Sequence, residues 1–313
     1  MRVLVTGAAG FVGAAVAAEL LERGHEVACL VRRPGQAGGE LTWAKRAKVI
    51  LGDLADSSGW AAEVKDWQPE ACVHAAWLTD PATYLDSPAN VWLLDASLRL
   101  LDLLGSAGCR RAVFVGTCAE YDASVSRALD ESSPLRPATL YASCKVALSL
   151  LGARRAEEAG IGFAWARIFH PYGPRENRER LIPAAIRTLL QGRVFTSSHP
   201  EAKRDFIHVD DVASGLAALV EAGAAGAFNV STGRPTSVRD VLDLLGALSG
   251  RPDLLSFGAQ PRQGWDPESI SGLPDRLVAA TGWQPRVELR DGLASAYAWW
   301  SKQREPARAP GDA

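Results

Sequence analysis

Three evenly spaced glycines after the first apolar run constrain the fold of this chain more than any other feature. The run ends at Thr6, and the glycines are Gly7, Gly10 and Gly13. Apolar residues at helical spacing follow, so the segment is predicted to form a strand, a tight turn and a helix. Glycine permits positive φ in such a turn and lets the backbone approach a phosphate, which a helix amino terminus also attracts. Glycine-rich turns also occur without a ligand, but the flanking strand and helix favour a pyrophosphate site.

Strands and helices alternate through the first half of the chain. Apolar residues at helical spacing predict long helices over residues 89–107 and 138–158. Short apolar runs predict strands, the first starting at Arg2 and the others covering 26–31, 48–51, 71–74, 112–115 and 163–168. This alternation predicts a doubly wound parallel sheet.

The second half has longer polar loops and prolines, and it is expected to build a smaller lobe. We predict a dinucleotide-binding domain over 1–169, with parts of 205–235 returning to it. A mostly substrate-binding lobe is predicted over 170–303, and a flexible tail over 304–313. Ligands of doubly wound sheets bind beyond the carboxyl ends of the strands, where such a lobe would cover a substrate.

Composition and charge exclude several classes of partner. The 313 residues carry a formal net charge of −2, which disfavours nucleic acid as a partner. No apolar run reaches about 18 residues, so no membrane span is expected. The five cysteines form no C-x-x-C pair, and the chain opens on a strand instead of a signal peptide, which together predict a cytoplasmic protein. Histidines lack metal-ligand spacing, so no metal site is predicted.

Tyr141 and Lys145 form a candidate catalytic pair. They are four residues apart in a predicted helix and therefore share one face. An ammonium near a phenol lowers the phenol pKa, so that the tyrosine can exchange a proton with an alcohol or carbonyl. Thr117 follows the strand predicted over 112–115 and offers a hydroxyl to the same oxygen. Two common residues at this spacing also occur by chance on solvated helices.

The combined motifs resemble the extended short-chain dehydrogenase/reductase family, and within it the nucleotide-sugar epimerase, dehydratase and reductase branch. The resemblance runs from Arg2 to about Trp300. It includes R-I-F-H-P-Y-G-P from Arg167, residues 204–212, and T-G-W-Q-P from Thr281. The resemblance implies a Rossmann-like doubly wound sheet with a C-terminal substrate-binding lobe, and an NAD(P)-dependent oxidoreductase acting on a nucleotide-activated sugar.

The resemblance also implies which residues contact the cofactor. In the family the glycines hold the pyrophosphate, an aspartate bonds the adenine, and the lysine bonds the nicotinamide ribose. The implied cofactor residues come from the opening turn, the ends of the following strands and the catalytic pair: Gly7, Gly10, Phe11, Val12, Gly13, Asp53, Leu54, Ala75, Ala76, Tyr141 and Lys145.

The residues after the second predicted strand favour NADP over NAD. Val31 stands where NAD-preferring relatives carry an acidic residue, and Arg32 and Arg33 follow it. A missing carboxylate and two added guanidinium groups favour a ribose 2′-phosphate. We therefore expect NADP as the cofactor, with NAD as the alternative. The two arginines could instead be ordinary loop charges.

A further set of residues is implied to contact the substrate: Trp77, Thr117, Cys118, His170, Arg204 and Arg262. The arginines would hold the nucleotide diphosphate, for which the guanidinium fork is well suited. Arg204 could instead form a salt bridge with Asp205 or Asp210. The loop at Arg262 departs from the R-P-G that is usual in the family.

His170 replaces the usual asparagine, either as a proton donor or as a hydrogen-bonding filler. Trp77 either narrows the sugar pocket or packs, and Cys118 is expected to be a packing residue.

The residues after Thr117 separate the reactions of this branch. Cys118 and Ala119 stand where the 4,6-dehydratases carry Asp-Glu, and Glu120 is displaced by one position, so dehydration is disfavoured. We predict NADPH-dependent reduction of a nucleoside-diphosphate 4-keto-6-deoxyhexose. The alternative is an epimerase that retains its cofactor through a transient 4-keto sugar, and a third interpretation is a non-catalytic NADP-binding regulator. The two long helices resemble those that form a four-helix homodimer interface in the family.

Overall fold

Thirteen strands and nine α-helices lie within residues 1–33, 41–125, 127–258 and 267–303, the part of the chain that the computed structural model describes. The strands are β1 (Arg2–Thr6), β2 (Glu26–Val31), β3 (Lys48–Leu51), β4 (Ala71–His74), β5 (Arg111–Thr117), β6 (Gly162–Ile168), β7 (His170–Tyr172), β8 (Phe195–Ser197), β9 (Lys203–His208), β10 (Gly226–Val230), β11 (Pro235–Ser237), β12 (Leu255–Phe257) and β13 (Ser269–Ile270). The helices are α1 (Phe11–Glu22), α2 (Ala61–Trp67), α3 (Ala89–Ser106), α4 (Leu140–Glu158), α5 (Leu181–Leu190), α6 (Val209–Ala222), α7 (Val238–Ser249), α8 (Asp275–Thr281) and α9 (Leu289–Lys302). Arg262 and the tail over 304–313 lie outside the described residues.

Seven parallel strands form the main sheet, in the order β10-β6-β5-β4-β1-β2-β3. The chain builds outward from β1 through β2 to β3, and then returns to the other side of β1 with β4. This reversal places a crevice beyond the carboxyl ends of β1 and β4, where doubly wound sheets bind their ligands. The fold class predicted from the sequence is confirmed.

Both faces of the main sheet are buried, because alternate residues of each strand point to opposite sides. Val3 and Val5 face α1 and α6, which pack on one side with Leu20 and Leu216. Leu4 faces the other side, where α3 and α4 pack against each other. Continuous apolar runs therefore mark these central strands.

The smaller lobe is built around β9, which pairs with β7, β11 and β13. Helices α5, α7 and α9 pack together beside it through Ile186, Leu245 and Leu293. β9 leads directly into α6, and β10 then joins the edge of the main sheet beside β6. The chain therefore crosses between the lobe and the main sheet more than once. Within the described residues, no helix has the length and apolar character needed to cross a bilayer.

Candidate active site

A cavity of about 890 Å³ opens beyond the carboxyl ends of β1, β4, β5 and β6, with β7 and β9 of the lobe on its far side. Most residues singled out in the sequence line it: Gly7, Gly10, Phe11, Val12, Gly13, Arg32, Asp53, Leu54, Ala75, Ala76, Trp77, Thr117, Cys118, Tyr141, Lys145, His170 and Arg204. Arg33 is exposed next to Arg32. The fold therefore brings residues from distant parts of the sequence to one site.

The glycine turn leaves bare backbone at one end of this cavity. Gly7 has φ +70°, and a Cβ there would lie 2.7 Å from the backbone of Ala75. A Cβ at Gly13 would lie 2.2 Å from the carbonyl oxygen of Gly7. Gly10 precedes α1, and no side chain caps the first N–H groups of that helix. Unpaired N–H groups at a helix start are a binding site for a phosphate, so this end of the cavity fits a dinucleotide pyrophosphate.

The other groups needed for a dinucleotide lie along the same side of the cavity. Asp53 follows β3, is exposed, and accepts a hydrogen bond from the Ala55 amide at 2.9 Å. Leu54 beside it is buried. Arg32 follows the buried Val31 at the end of β2 and is exposed to the cavity mouth. The arrangement offers an acceptor, an apolar surface and a cation to an adenosine.

Thr117 ends β5 and is held in place by Glu120 from the short 3-10 helix that follows, Cys118–Glu120. The Thr117 amide donates to Glu120 Oε1 at 2.8 Å. The Glu120 carboxylate also accepts from Trp165 Nε1 at 3.0 Å and from Arg167 Nε at 2.8 Å. Glu120 is fully buried in this network, so its carboxylate is turned away from the cavity.

Tyr141 lies in the first turn of α4, whose amino terminus is capped by the Thr139 hydroxyl. Its ring packs edge-on against Tyr84 and Trp77, at centroid distances of 5.0 and 6.4 Å. Burial raises the pKa of the Tyr141 phenol well above its usual value, and a hydrogen bond with the Thr117 hydroxyl works in the opposite direction. The phenol is therefore protonated near neutral pH, with its oxygen beside Thr117.

Lys145 contacts a backbone carbonyl and an indole ring. Its Nζ donates to the Val115 carbonyl oxygen at 2.8 Å and lies 3.8 Å from the centroid of Trp77. The Tyr141 ring centroid is 5.9 Å from the same nitrogen. Burial lowers the pKa of Lys145 to about 7, and the Glu120 carboxylate partly opposes this. Burial dominates the pKa of Tyr141, so the expectation that Lys145 lowers that pKa stays a prediction; in this structure the carbonyl and the indole face hold the ammonium.

Trp77 both lines the cavity and is fixed from behind. Its indole N–H donates to the Asn90 side-chain oxygen at 2.8 Å, and Asn90 is itself buried. The Nζ atom of Lys145 lies over the face of the Trp77 ring, so Trp77 sets the position of that ammonium. The two sequence interpretations of Trp77, pocket wall and packing residue, both describe part of this arrangement.

Two predicted substrate residues lie on the lobe side of the cavity. The Nδ1 atom of His170 is buried without a hydrogen-bond partner, and burial lowers the pKa of His170 to about 3, so the imidazole is neutral. Arg204 donates to the carbonyl oxygens of Lys203 and Pro267 at 2.8 and 2.9 Å. The alternative salt bridge to Asp205 is wrong for this structure, because the Asp205 carboxylate accepts hydrogen bonds from two loops instead.

His74 and Cys118, two buried side chains near the site, have structural environments. His74 bonds Thr6 Oγ1 at 2.6 Å and Ser97 Oγ at 2.9 Å, which makes it a structural core residue. Burial raises the pKa of the Cys118 thiol to about 12, which leaves a poor nucleophile. Among the described residues, no three His, Cys, Asp or Glu side chains cluster as metal ligands do.

Sequence reasoning missed several polar residues of the cavity, among them Tyr84, Glu176 and Arg180. Arg180 donates to the Thr79 carbonyl oxygen at 3.4 Å, and its guanidinium lies 4.9 Å from the Tyr84 ring centroid. These residues come from segments without a recognisable motif. Glu176 and Arg180 lie in the charged run over 175–180 that follows Pro174, and such a run is common in loops.

Comparisons with known proteins identify the family to which this arrangement is most similar. A model described as the NAD dependent epimerase/dehydratase family matches residues 3–231. The chain is 28% identical to a UDP-glucose 4-epimerase of Corynebacterium glutamicum, with 96% of each chain covered. It is 30% identical to a dTDP-glucose 4,6-dehydratase of Streptomyces griseus, over 97% of this chain and 95% of that one.

The fold is shared with solved structures over nearly its whole length. A UDP-glucose 4-epimerase of Thermotoga maritima, solved with UDP-glucose, superposes with a TM-score of 0.88 at 25% identity. The match covers 96% of this chain and 99% of the other.

Proposed function

Since the chain belongs to the NAD-dependent epimerase/dehydratase family, we propose that it transfers hydride reversibly at C4 of a nucleotide-activated hexose. The family resemblance inferred from the sequence motifs is thereby confirmed. The observation that carries the proposal is that Thr117, Tyr141 and Lys145 line the same cavity as the glycine turn that follows β1. Similarity to 4-epimerases over nearly the whole chain favours epimerisation as the overall reaction.

A nicotinamide dinucleotide bound along the glycine turn would supply the hydride acceptor and donor. The chain's own residues handle the proton. Tyr141 takes the proton of the C4 hydroxyl as that carbon is oxidised, and returns it when the keto carbon is reduced. Thr117 holds the same oxygen through its hydroxyl. The phenolate that oxidation requires is favoured only when the Lys145 ammonium, one helical turn away, leaves the Val115 carbonyl oxygen and approaches the phenol.

The second candidate is NADPH-dependent reduction of a nucleoside-diphosphate 4-keto-6-deoxyhexose. Arg32 at the cavity mouth favours NADP, and a protonated Tyr141 is the form that donates to a keto oxygen. Dehydration remains disfavoured, because Cys118 and Ala119 provide no carboxylate and Glu120 is committed to Arg167.

Cofactor consumption separates the candidates. An epimerase converts UDP-glucose or dTDP-glucose to its 4-epimer without added cofactor, and the purified protein carries the dinucleotide. A reductase oxidises one NADPH for each 4-keto-6-deoxy sugar nucleotide that it reduces. Product analysis by NMR, with absorbance at the nicotinamide band, distinguishes the two. Absence of hydride transfer with both substrate classes would contradict the proposal and favour a non-catalytic regulator.

Arg32 is expected to set the preference for NADP. Replacing Arg32 by alanine removes a cation that would pair with the 2′-phosphate, so the Kd for NADP should rise about ten- to hundredfold while that for NAD changes little. Isothermal titration with both dinucleotides measures this. Arg251→Ala is the matched control, because Arg251 is an exposed arginine paired with Asp253 in the lobe. Tighter binding of NAD than of NADP by the unchanged protein would contradict the NADP assignment.

We also propose a homodimer formed through α3 and α4. Val91, Trp92, Leu150 and Leu151 on these helices are each about half exposed. Apolar residues exposed together on adjacent helices are typical of an interface between chains. Sedimentation equilibrium should give the mass of two chains, and a monomer mass at micromolar concentration would contradict this proposal.

A further inference from the structure

Two buried polar atoms without partners lie on the lobe side of the cavity. One is Oε2 of Glu176, in the connection between β7 and α5, and the other is Nδ1 of His170 in β7. Among the described residues, no donor or acceptor reaches either atom. More than nine in ten buried polar groups in folded proteins are paired, so an unpaired atom at a ligand cavity indicates a partner supplied by the ligand or by water.

The surroundings of Glu176 favour its neutral form. Burial raises the pKa of the Glu176 carboxyl to about 8, while Arg180 and a backbone hydrogen bond from Gly173 partly oppose this. Arg180 itself donates to Thr79 and lies over the Tyr84 ring. At neutral pH Glu176 is therefore mainly a carboxylic acid, which can donate one hydrogen bond.

Other charged or titratable groups line the same cavity and define its polarity. His170 in β7 is neutral, and Arg204 in β9 and Arg180 both lower its pKa. Tyr84 in the segment after β4 carries a phenol, and Tyr141 and Lys145 occupy α4. Two neutral hydrogen-bonding groups with arginines nearby suit a sugar joined to an anionic diphosphate. They do not suit an ammonium group, which the arginines would repel.

We propose that Glu176 is a specificity-determining residue that donates its carboxyl proton in a hydrogen bond to a hydroxyl oxygen of the hexose. The inference rests on the proposed function and deepens it, because it assigns an uncharged, hydroxylated hexose as the sugar class. His170 lies on the same wall and offers its unpaired nitrogen to the sugar. A structural role explains Glu176 poorly, because a buried carboxyl oxygen without a partner destabilises the fold.

The proposal is tested by binding, which does not depend on turnover. Isothermal titration measures the Kd for UDP-glucose and dTDP-glucose, with UDP and dTDP as probes that lack the sugar. Two variants are compared with the unchanged protein. Glu176→Gln keeps a donor that does not ionise, and Glu176→Leu removes the donor at similar size.

Glu176→Leu should weaken binding of the sugar nucleotide at pH 7 by about ten- to hundredfold, and binding of UDP or dTDP by less than about threefold. From pH 7 to pH 9 the carboxyl loses its proton, so affinity of the unchanged protein should fall about tenfold relative to Glu176→Gln. Other groups titrate equally in both proteins and cancel in this ratio. The pH comparison stands even where the leucine variant does not fold.

Three results would overturn the inference. If the affinity of the unchanged protein relative to that of Glu176→Gln is constant with pH, Glu176 does not contact the sugar. A ratio that rises with pH means that the carboxylate accepts a hydrogen bond and donates none. Failure of the unchanged protein to bind any of the four nucleotides would remove the proposed function together with the inference. This result is distinguished from the other two because it is seen without any substitution.

Discussion

Replacing Tyr141 by phenylalanine is expected to lower turnover of a nucleotide sugar about a thousandfold, with little change in the Kd for the dinucleotide. Only the phenol oxygen is removed, so the edge-on contacts of the ring with Tyr84 and Trp77 remain. Thr117 then holds the reacting oxygen without a group that can accept or return its proton. Steady-state turnover and isothermal titration of the cofactor measure the two quantities separately.

The control for this substitution is Tyr297→Phe. Tyr297 is a partly buried tyrosine that packs in the lobe core, so it loses the same atom away from the cavity. Its turnover should equal that of the unchanged protein. Full turnover by Tyr141→Phe would remove Tyr141 from the mechanism and leave the proposed hydride transfer without its acid and base.

The second large effect is expected at Glu120, whose carboxylate forms a buried ion pair with Arg167 at 2.8 Å. Glu120→Gln keeps the size of the side chain and leaves the Arg167 charge buried without its counter-ion. Breaking a buried pair in this way costs about 3 kcal/mol of the free energy of unfolding. Urea denaturation measures the loss.

Two further variants separate charge from packing. Glu157→Gln is the matched control, because Glu157 pairs with Arg154 on the exposed face of α4 and should lose far less stability. Replacing Glu120 by leucine together with Arg167 by methionine removes both charges but leaves the Thr117 amide and Trp165 Nε1 without their acceptor, so it should recover only part of the stability lost in Glu120→Gln. Equal losses of the free energy of unfolding in Glu120→Gln and Glu157→Gln would contradict the claim that burial makes the loss at Glu120 large.

Local patterns in the sequence determined the main sheet. The strands predicted over 26–31, 48–51 and 71–74 coincide with β2, β3 and β4, and the glycine turn joins β1 to α1 as expected. An apolar run buried on both faces and a glycine that must have positive φ are signals carried by a few adjacent residues. Helix α5 was missed, because Pro183 lies in its first turn, where proline is tolerated, and resembled loop punctuation.

Local patterns did not determine the roles of the residues that line the cavity, because these roles depend on partners far away in the sequence. Spacing placed Lys145 beside Tyr141 on one helix face, but Val115 and Trp77 decide where its ammonium lies. Glu120 follows Thr117 closely in sequence, yet Trp165 and Arg167 of β6 turn it into the core.

The sequence by itself determined the family, the parallel sheet and the glycine turn, because these follow from backbone conformation and apolar periodicity over short stretches. Only the tertiary structure decided which polar groups are buried, which are paired and which face the cavity. Glu176 is the clearest case, since its carboxyl is an ordinary loop charge in the sequence. The fold buries its Oε2 atom beside the cavity without a partner, and burial raises the pKa of the carboxyl and so changes its chemistry.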